Sequence, residues 1–199
     1  MKYKIIEPVS KEPVTLSEAK DHLRRTSGIF ADDTTEDNLI SAWITAAREY
    51  CEAHTRRALA EQTAEAYLEN FPEGSRINLP LPPLISVISV VYKDGSGNET
   101  TMIENTDYIV DTNSNVGGII LPFNKSWPCF TPFPLHPITI TFKAGYAEGN
   151  IIPKCIKQAM LLLIGHWDNN REAAANSVSK EIEFAVKALL SIKKARWLL

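Results

Sequence analysis

Between residues 138 and 167 the chain switches from one hydrophobic period to another. Ile138, Ile140 and Phe142 alternate with Thr139, Thr141 and Lys143, the two-residue repeat of a strand with one buried face. Gly145 and Gly149 end it. Pro153 then stands where a helix tolerates proline, in the first turn, whose N–H groups have no intrahelical partner. Ile156, Ala159, Met160, Leu163, Ile164 and Trp167 follow at spacings of three and four. They share one face of a helix from about 153 to 168, roughly 24 Å long at ~1.5 Å per residue.

The same reading finds helices near the start. Thr15-Leu-Ser-Glu18 has the form of a capping box, in which the Thr15 oxygen accepts from the Glu18 N–H while the Glu18 carboxylate reaches back. Leu16, Ala19, Lys20 and Leu23 continue it to about residue 25. A polar stretch, 26–35, contains Asp32 and Asp33. A second helix follows over about 36–55, opened by Thr34 or Thr35. Ile40, Ile44, Ala47, Cys51 and His54 form one stripe, with Leu39, Trp43, Ala46 and Tyr50 beside it. So broad an apolar arc calls for cover on more than one side, inside the subunit or from a neighbour. After a break over 168–179, Ile182, Phe184, Ala185, Val186, Ala188, Leu189 and Leu190 resume helical spacing. The end is basic and apolar, Lys193-Lys-Ala-Arg-Trp-Leu-Leu199.

Short β-prone runs fill the middle, at 64–70, 76–79, 85–93, 99–103, 108–111, 119–121 and 137–144. Asp94-Gly-Ser-Gly-Asn98 reads as a hairpin loop and Gly117-Gly118 as a second turn. The prolines of 79–83 and 127–137 place those segments at sheet edges or outside the sheets. Strands bunched between pairs of helices are not interleaved βαβ units, which disfavours a Rossmann-type fold. The expected fold is α+β: one domain over 1–199, with a helical body of about four helices, 13–57 and 150–195. An antiparallel β-rich insertion, 63–146, lies between the second and third helices.

Composition adds exclusions. At 199 residues, 44% hydrophobic and 23% charged, the chain can bury a core without staples. The longest apolar run, 159–165, falls well short of the ~20 residues that span a bilayer, and the N-terminus lacks a signal core of ~7–15 apolar residues. No membrane association and a cytoplasmic site of synthesis are the expectations. Cys51, Cys129 and Cys155 make no CxxC pair and leave one over, against a disulfide framework; Cys51 and Cys155 read as small core groups on helices. A formal charge of −3, with basic residues clustered only at Lys193, Lys194 and Arg196, argues against sequence-specific DNA readout.

Candidate chemistry is sparse. His22, His54, His136 and His166 are scattered, without an HExxH or another metal spacing, and His166 reads as a charge near a helix C-terminus. Gly117-Gly118 lacks the strand-to-helix context and lysine of a phosphate loop. Ser86, Ser89 and Ser96 sit in no Gly-x-Ser-x-Gly elbow. Asp32 with Asp33 and Glu181 with Glu183 read as solvated faces or caps. No catalytic, metal or cofactor residue is assigned. Trp127, Phe130 and Phe133, among prolines, either plug the end of a small sheet or form a contact platform.

The order of several segments resembles a known family. These are Pro13-Val-Thr-Leu-Ser-Glu-Ala-Lys-Asp-His-Leu-Arg24, Ile44-Thr-Ala-Ala-Arg-Glu-Tyr-Cys-Glu52 with Thr55-Arg-Arg57, Leu79-Pro-Leu-Pro-Pro-Leu-Ile-Ser-Val87, Asp107-Tyr-Ile-Val-Asp111, Ile140-Thr-Phe-Lys-Ala-Gly-Tyr146 and Ile152-Pro-Lys-Cys-Ile-Lys-Gln-Ala-Met160. Together they look like tailed-phage head-tail connector (adaptor) proteins, in the phage and prophage group with a β insert between helices. The C-terminus departs from the Pro-Phe-Gly-Val-x-x-Leu-Leu-x-Pro-Tyr-Arg-like ending common there: Glu183-Phe-Ala-Val-Lys-Ala-Leu-Leu190 runs into Ser191-Ile-Lys-Lys194. The resemblance implies a structural virion protein without enzymatic activity or cofactor. It would be made in the host cytoplasm and sit at the head-tail junction as a ring under the portal, with the portal and tail-completion proteins as partners and DNA passing through unread. Ring contacts that close on themselves need two different sticky surfaces per subunit. Trp43, Tyr50, Trp127, Phe130, Phe133, Trp197, Leu198 and Leu199 are the candidate subunit or partner contacts. The alternatives are a β-insert module binding a carbohydrate or protein, which requires exposed Trp127, Phe130 or Phe133, and a small hydrolase-like enzyme with the aromatic loop as a lid.

Overall fold

In the computed structural model, which describes residues 1–26, 34–147, 152–171 and 178–195, the chain is α+β. The element order is β1 (Lys2–Glu7), α1 (Leu16–His22), α2 (Asp37–Thr55), β2 (Gln62–Leu68), β3 (Arg76–Asn78), β4 (Leu84–Lys93), β5 (Glu99–Thr101), β6 (Ile109–Asp111), β7 (Gly118–Ile120), β8 (Ile138–Ala144), α3 (Lys154–Asn169) and α4 (Val178–Ser191). It divides into a strand-bearing unit, residues 1–10, 60–149 and 195–199, and a helical unit, residues 11–59 and 150–194.

In the strand-bearing unit, β8 is the middle of a sheet ordered β1-β2-β8-β4-β5, antiparallel throughout. Ile138, Ile140, Phe142 and Ala144 are buried, while Thr139, Thr141 and Lys143 are half-exposed. The register carries that alternation sideways: Phe142 lies opposite Ala64 and Val87, and Ile140 opposite Ala66 and Val90, all buried. Each such large side chain contributes roughly 1.5–3 kcal/mol by leaving water. Two register shifts in β4, at Ile85 and Ile88, insert an extra residue each, which turns Ile88 out to solvent and blurs the two-residue repeat. A second sheet, β3-β7-β6, buries Ile77 opposite Ile119.

In the helical unit the Thr15 and Glu18 capping box forms in both directions, at 3.2 and 3.0 Å. Helix α2 buries Ile40, Ile44, Ala47, Cys51 and Thr55, and packs on α1, α3 and α4. Helix α3 buries Ile156, Ala159, Met160, Leu163 and Ile164; α4 buries Val186 and Leu190.

Several details differ from the sequence expectation. Residues 2–7, to which the sequence pattern assigns no element, form an edge strand on β2. All six are exposed, so no buried face announced them. Gly117 and Gly118 are not a turn: the chain bends over 113–116, where the Asp111 carboxylate accepts from the N–H groups of Asn113 and Ser114, and Gly118 begins β7. Glycine is needed there for close approach, since a Cβ on Gly118 would lie 2.2 Å from the Ile77 carbonyl oxygen and one on Gly117 2.2 Å from the Leu84 Cβ. Helix α2 is preceded by Glu36, with no side-chain cap from Thr34 or Thr35. Pro153 is the N-cap of α3 instead of a first-turn residue. His54, Cys155 and Trp167 are half-buried. Asp32, Asp33, Gly149, the centre of the 168–179 break and residues 196–199 lie outside the described residues.

Gly145, just past β8, has φ +111°, and a Cβ there would fall 2.0 Å from the Ala60 carbonyl oxygen. Gly145→Ala is expected to destabilise the protein by about 2 kcal/mol or more. Gly74→Ala, where a Cβ meets nothing within 4 Å, is expected to leave the urea midpoint nearly unchanged.

Candidate functional site

In the helical unit, charges are neutralised in closed groups. Arg25, past the end of α1, pairs with Glu36 and, at 2.6 Å, with Asp168 of α3. Arg171 grips the same Glu36 through both terminal nitrogens, at 2.6 and 2.9 Å, and Asp168 at 2.9 Å. Two arginines and two acids thus form a ring joining the end of α1, the start of α2 and the end of α3. The Arg171 guanidinium also sits 5.6 Å from the centre of the Trp43 ring. Hydrogen bonds from Arg171 and then Arg25 hold the Glu36 carboxyl down at about 2.

A second group lies further along α2. Arg48, 8% exposed, donates from Nε to Glu12 at 2.9 Å and from a terminal nitrogen to Glu52 at 2.7 Å. Thr45 donates to the other Glu12 oxygen, and the Leu59 N–H to the other Glu52 oxygen. Burial pushes the Glu52 carboxyl up, against the pull of Leu59 and Arg48. Arg57 donates to the Lys193 carbonyl at 2.7 Å, which ties the end of α4 to the segment after α2.

A cavity of about 450 Å³ opens between α1 and α2, bordered by Lys20, Arg25, Glu36, Asp37 and Asp168. Its acids are already paired: Lys20 with Asp37 at 2.6 Å, and Arg25 with Glu36 and Asp168. Charges satisfied in this way build structure; they are not poised to move a proton. The histidines do not converge. His136 stacks on Tyr67 at 4.5 Å, and His166 bonds Asn170, the residue that caps its own helix. Burial, then Lys194 and Lys187, lowers His54. Burial pushes the Cys51 thiol up to about 12, leaving it unreactive, while Cys129 is exposed. Among the described residues no group of His, Cys, Asp and Glu could hold a metal, and no helix is long and apolar enough to cross a membrane.

In the strand-bearing unit the structure brings Trp127 and Phe130 together around two rings the sequence reading did not single out, Phe71 and Tyr92. Trp127 stacks flat on Phe71 at 5.0 Å and donates its Nε1–H to the Gly74 carbonyl at 2.7 Å. Phe130 packs on Tyr92 at 4.9 Å and on Phe71 at 6.0 Å. Phe133 stands apart under Lys93 Nζ, 4.9 Å from its ring centre. Trp127, Phe130 and Phe133 are half-buried. Phe71 and Trp127 are far apart in the chain, so no local spacing signals their pairing. In the helical unit Trp43 and Tyr50 are half-buried on α2; Trp197, Leu198 and Leu199 lie outside the described residues. Large apolar side chains not singled out as contacts are exposed: Phe123 at the tip of a turn, and Phe184 and Ile192 at the C-terminal end.

No family model and no curated protein sequence matches the chain. Solved structures do match it. A chain in the virion of a native gene transfer agent (GTA) particle aligns with TM-score 0.79 and 24% identity, over 100% of this chain and 98% of that one. A chain in the neck of an empty GTA particle computed with C6 symmetry gives 0.81 and 24%, with the same coverage. A chain in the neck of a native GTA particle computed with C12 symmetry gives 0.73 and 22%, again with that coverage. At these identities the likeness is one of fold, over the full length of the chain.

Two measurements follow from this geometry. Glu36 stands near 2 in the folded chain against an ordinary 4.5, so its pairing stabilises the fold above about pH 4.5, and that contribution disappears as pH falls through about 2. Urea midpoints of Glu36→Gln should lie below wild type at pH 6 and converge on it toward pH 2. For the stacked rings, a double-mutant cycle of Phe71→Ala and Trp127→Ala should give a coupling of about 1 kcal/mol.

Proposed function

We propose that this chain is a structural neck protein of a tailed, phage-like particle: a head-tail connector subunit that assembles as a ring under the portal and continues the DNA channel toward the tail. The observation that carries the reading is the full-length likeness of fold to chains in the virion and neck of GTA particles, two of the neck structures being computed with C6 and C12 symmetry. In this reading the chain acts as one domain, with the β-rich segment inserted between the second and third helices.

The chemistry of the chain supports a non-enzymatic role. The acids around its cavity are spent on ion pairs, so nothing there is arranged as a nucleophile with its base. The binding-module alternative asks for exposed Trp127, Phe130 or Phe133; all three rings are half-buried, Trp127 stacked on Phe71 and Phe130 on Tyr92. A net charge of −3 suits a channel that lets DNA slide, because gripping phosphates takes clustered lysine and arginine. The subunit is made in the host cytoplasm and ends in the virion. Its contacts with neighbouring subunits, the portal and tail-completion proteins draw on Trp43, Tyr50, Trp127, Phe130, Phe133, Trp197, Leu198 and Leu199.

The test is at particle level. Deleting the gene from the element that encodes it should leave DNA-filled heads without tails and abolish infectivity, restored by the gene in trans. Tailed particles at the normal titre would overturn the reading.

A further inference from the structure

Helix α2 has two apolar seams; among the described residues the first is buried and the second is only partly covered, with Arg171 over Trp43. Ile40, Ile44, Ala47 and Cys51 form the buried seam. Beside it Leu39, Trp43, Ala46, Tyr50 and Ala53 recur at alternating spacings of four and three, the repeat that keeps one row turned toward a partner helix. Leu39, Ala46 and Ala53 are exposed, and Trp43 and Tyr50 are half-buried. Across residues 41–53 the exposed side chains are Ser41, Ala42, Ala46, Glu49 and Ala53, so Glu49 alone carries charge there.

Helix α4 presents the opposite relief. With Val186 and Leu190 buried, Phe184 and Ala188 lie on the outer side at four-residue spacing and Ile192 follows one residue past the helix end, Phe184 76% and Ile192 68% exposed. If the helical rise of about 1.5 Å per residue is carried one residue past Ser191, these two knobs stand roughly 12 Å apart; Ala46 and Ala53, the low points of the α2 seam, are roughly 10 Å apart. Charge matches as well, since exposed Lys193 and Lys194 follow Ile192 while the α2 face holds Glu49.

We propose that the outer face of α4 in one copy of this chain seats on the outer seam of α2 in the next, Phe184 and Ile192 entering the low points over Ala46 and Ala53. The contact is heterologous, joining two different surfaces of identical chains, so it repeats from copy to copy and generates a ring if the rotation closes. It rests on the connector reading above, and the C6 and C12 symmetry of the neck structures that hold chains of this fold favours a second copy over a different protein as the occupant.

The experiment uses the full chain with exposed Cys129 replaced by serine, and adds Ala46→Cys, Ala53→Cys or Phe184→Cys, all at exposed positions. Matching thermal melts confirm folding, and mild oxidation is followed by non-reducing gels. Mixing the Phe184→Cys protein with the Ala46→Cys or Ala53→Cys protein should trap a disulfide-linked dimer in at least one mixture. Each variant alone should stay a monomer, and a chain carrying both cysteines of the productive pair should form a ladder. Absence of a mixed disulfide, while light scattering finds wild type oligomeric, overturns this contact and leaves the ring reading standing. Cross-linking by one variant alone means an isologous dimer and also overturns it. So does wild type that is monomeric and never cross-links, the neck role itself then being decided by the gene deletion.

Discussion

The helical unit is organised around the desolvated charge of Arg48. A guanidinium taken out of water costs several kcal/mol unless its donors are met, and Arg48 recovers that cost only where Glu12 and Glu52 stand together. Glu12 belongs to the segment leading into α1, and Glu52 receives the Leu59 N–H beyond the end of α2. Satisfying the arginine therefore fixes where the chain enters this unit and where it turns out of α2. The turn itself is tight: Arg56 adopts a left-handed conformation, φ 56°, and closes α2 by donating to the Glu52 carbonyl at 2.7 Å.

Helix α2 is consequently held at both ends by charge and along one side by hydrocarbon. At its N-terminus, where no side chain caps the helix, Glu36 is held in the ring with Arg25, Asp168 and Arg171. A carboxylate at that position also opposes the positive end of the helix dipole. Between the clamps, the apolar stripe packs on α3. A helix so restrained presents its remaining face as a rigid surface, and a contact that orders nothing new loses little conformational entropy on association.

How much of this was legible depends on whether the signal is local. The alternation in β8, the stripe of α3 from Ile156 to Ile164 and the Thr15 capping box are written within a few residues, and each appears in the structure where the pattern put it. Gly117 and Gly118 show the limit: a glycine pair looks like a turn until the partner strand is known, and its reason for being glycine is the carbonyl of Ile77, distant in the chain. The stacking of Trp127 on Phe71 and the Arg25 to Asp168 pair are long-range in the same way. Edge strand β1 was silent for a different reason. Hydrophobic periodicity reports burial, and a strand that buries nothing has no periodicity to read.

That last feature carries a dynamic consequence. Strand β1 is attached by its ladder to β2 and by the hydrogen bond from Thr63 to Glu7, with no side chain in the core. Its opening gives up only the covered halves of Tyr3, Ile5 and Ile6, less than opening β8, whose alternate side chains are fully buried, so β1 is expected to open more readily than β8. Opening of β1 would leave a four-stranded sheet, β2-β8-β4-β5, with the outer backbone edge of β2 unpaired.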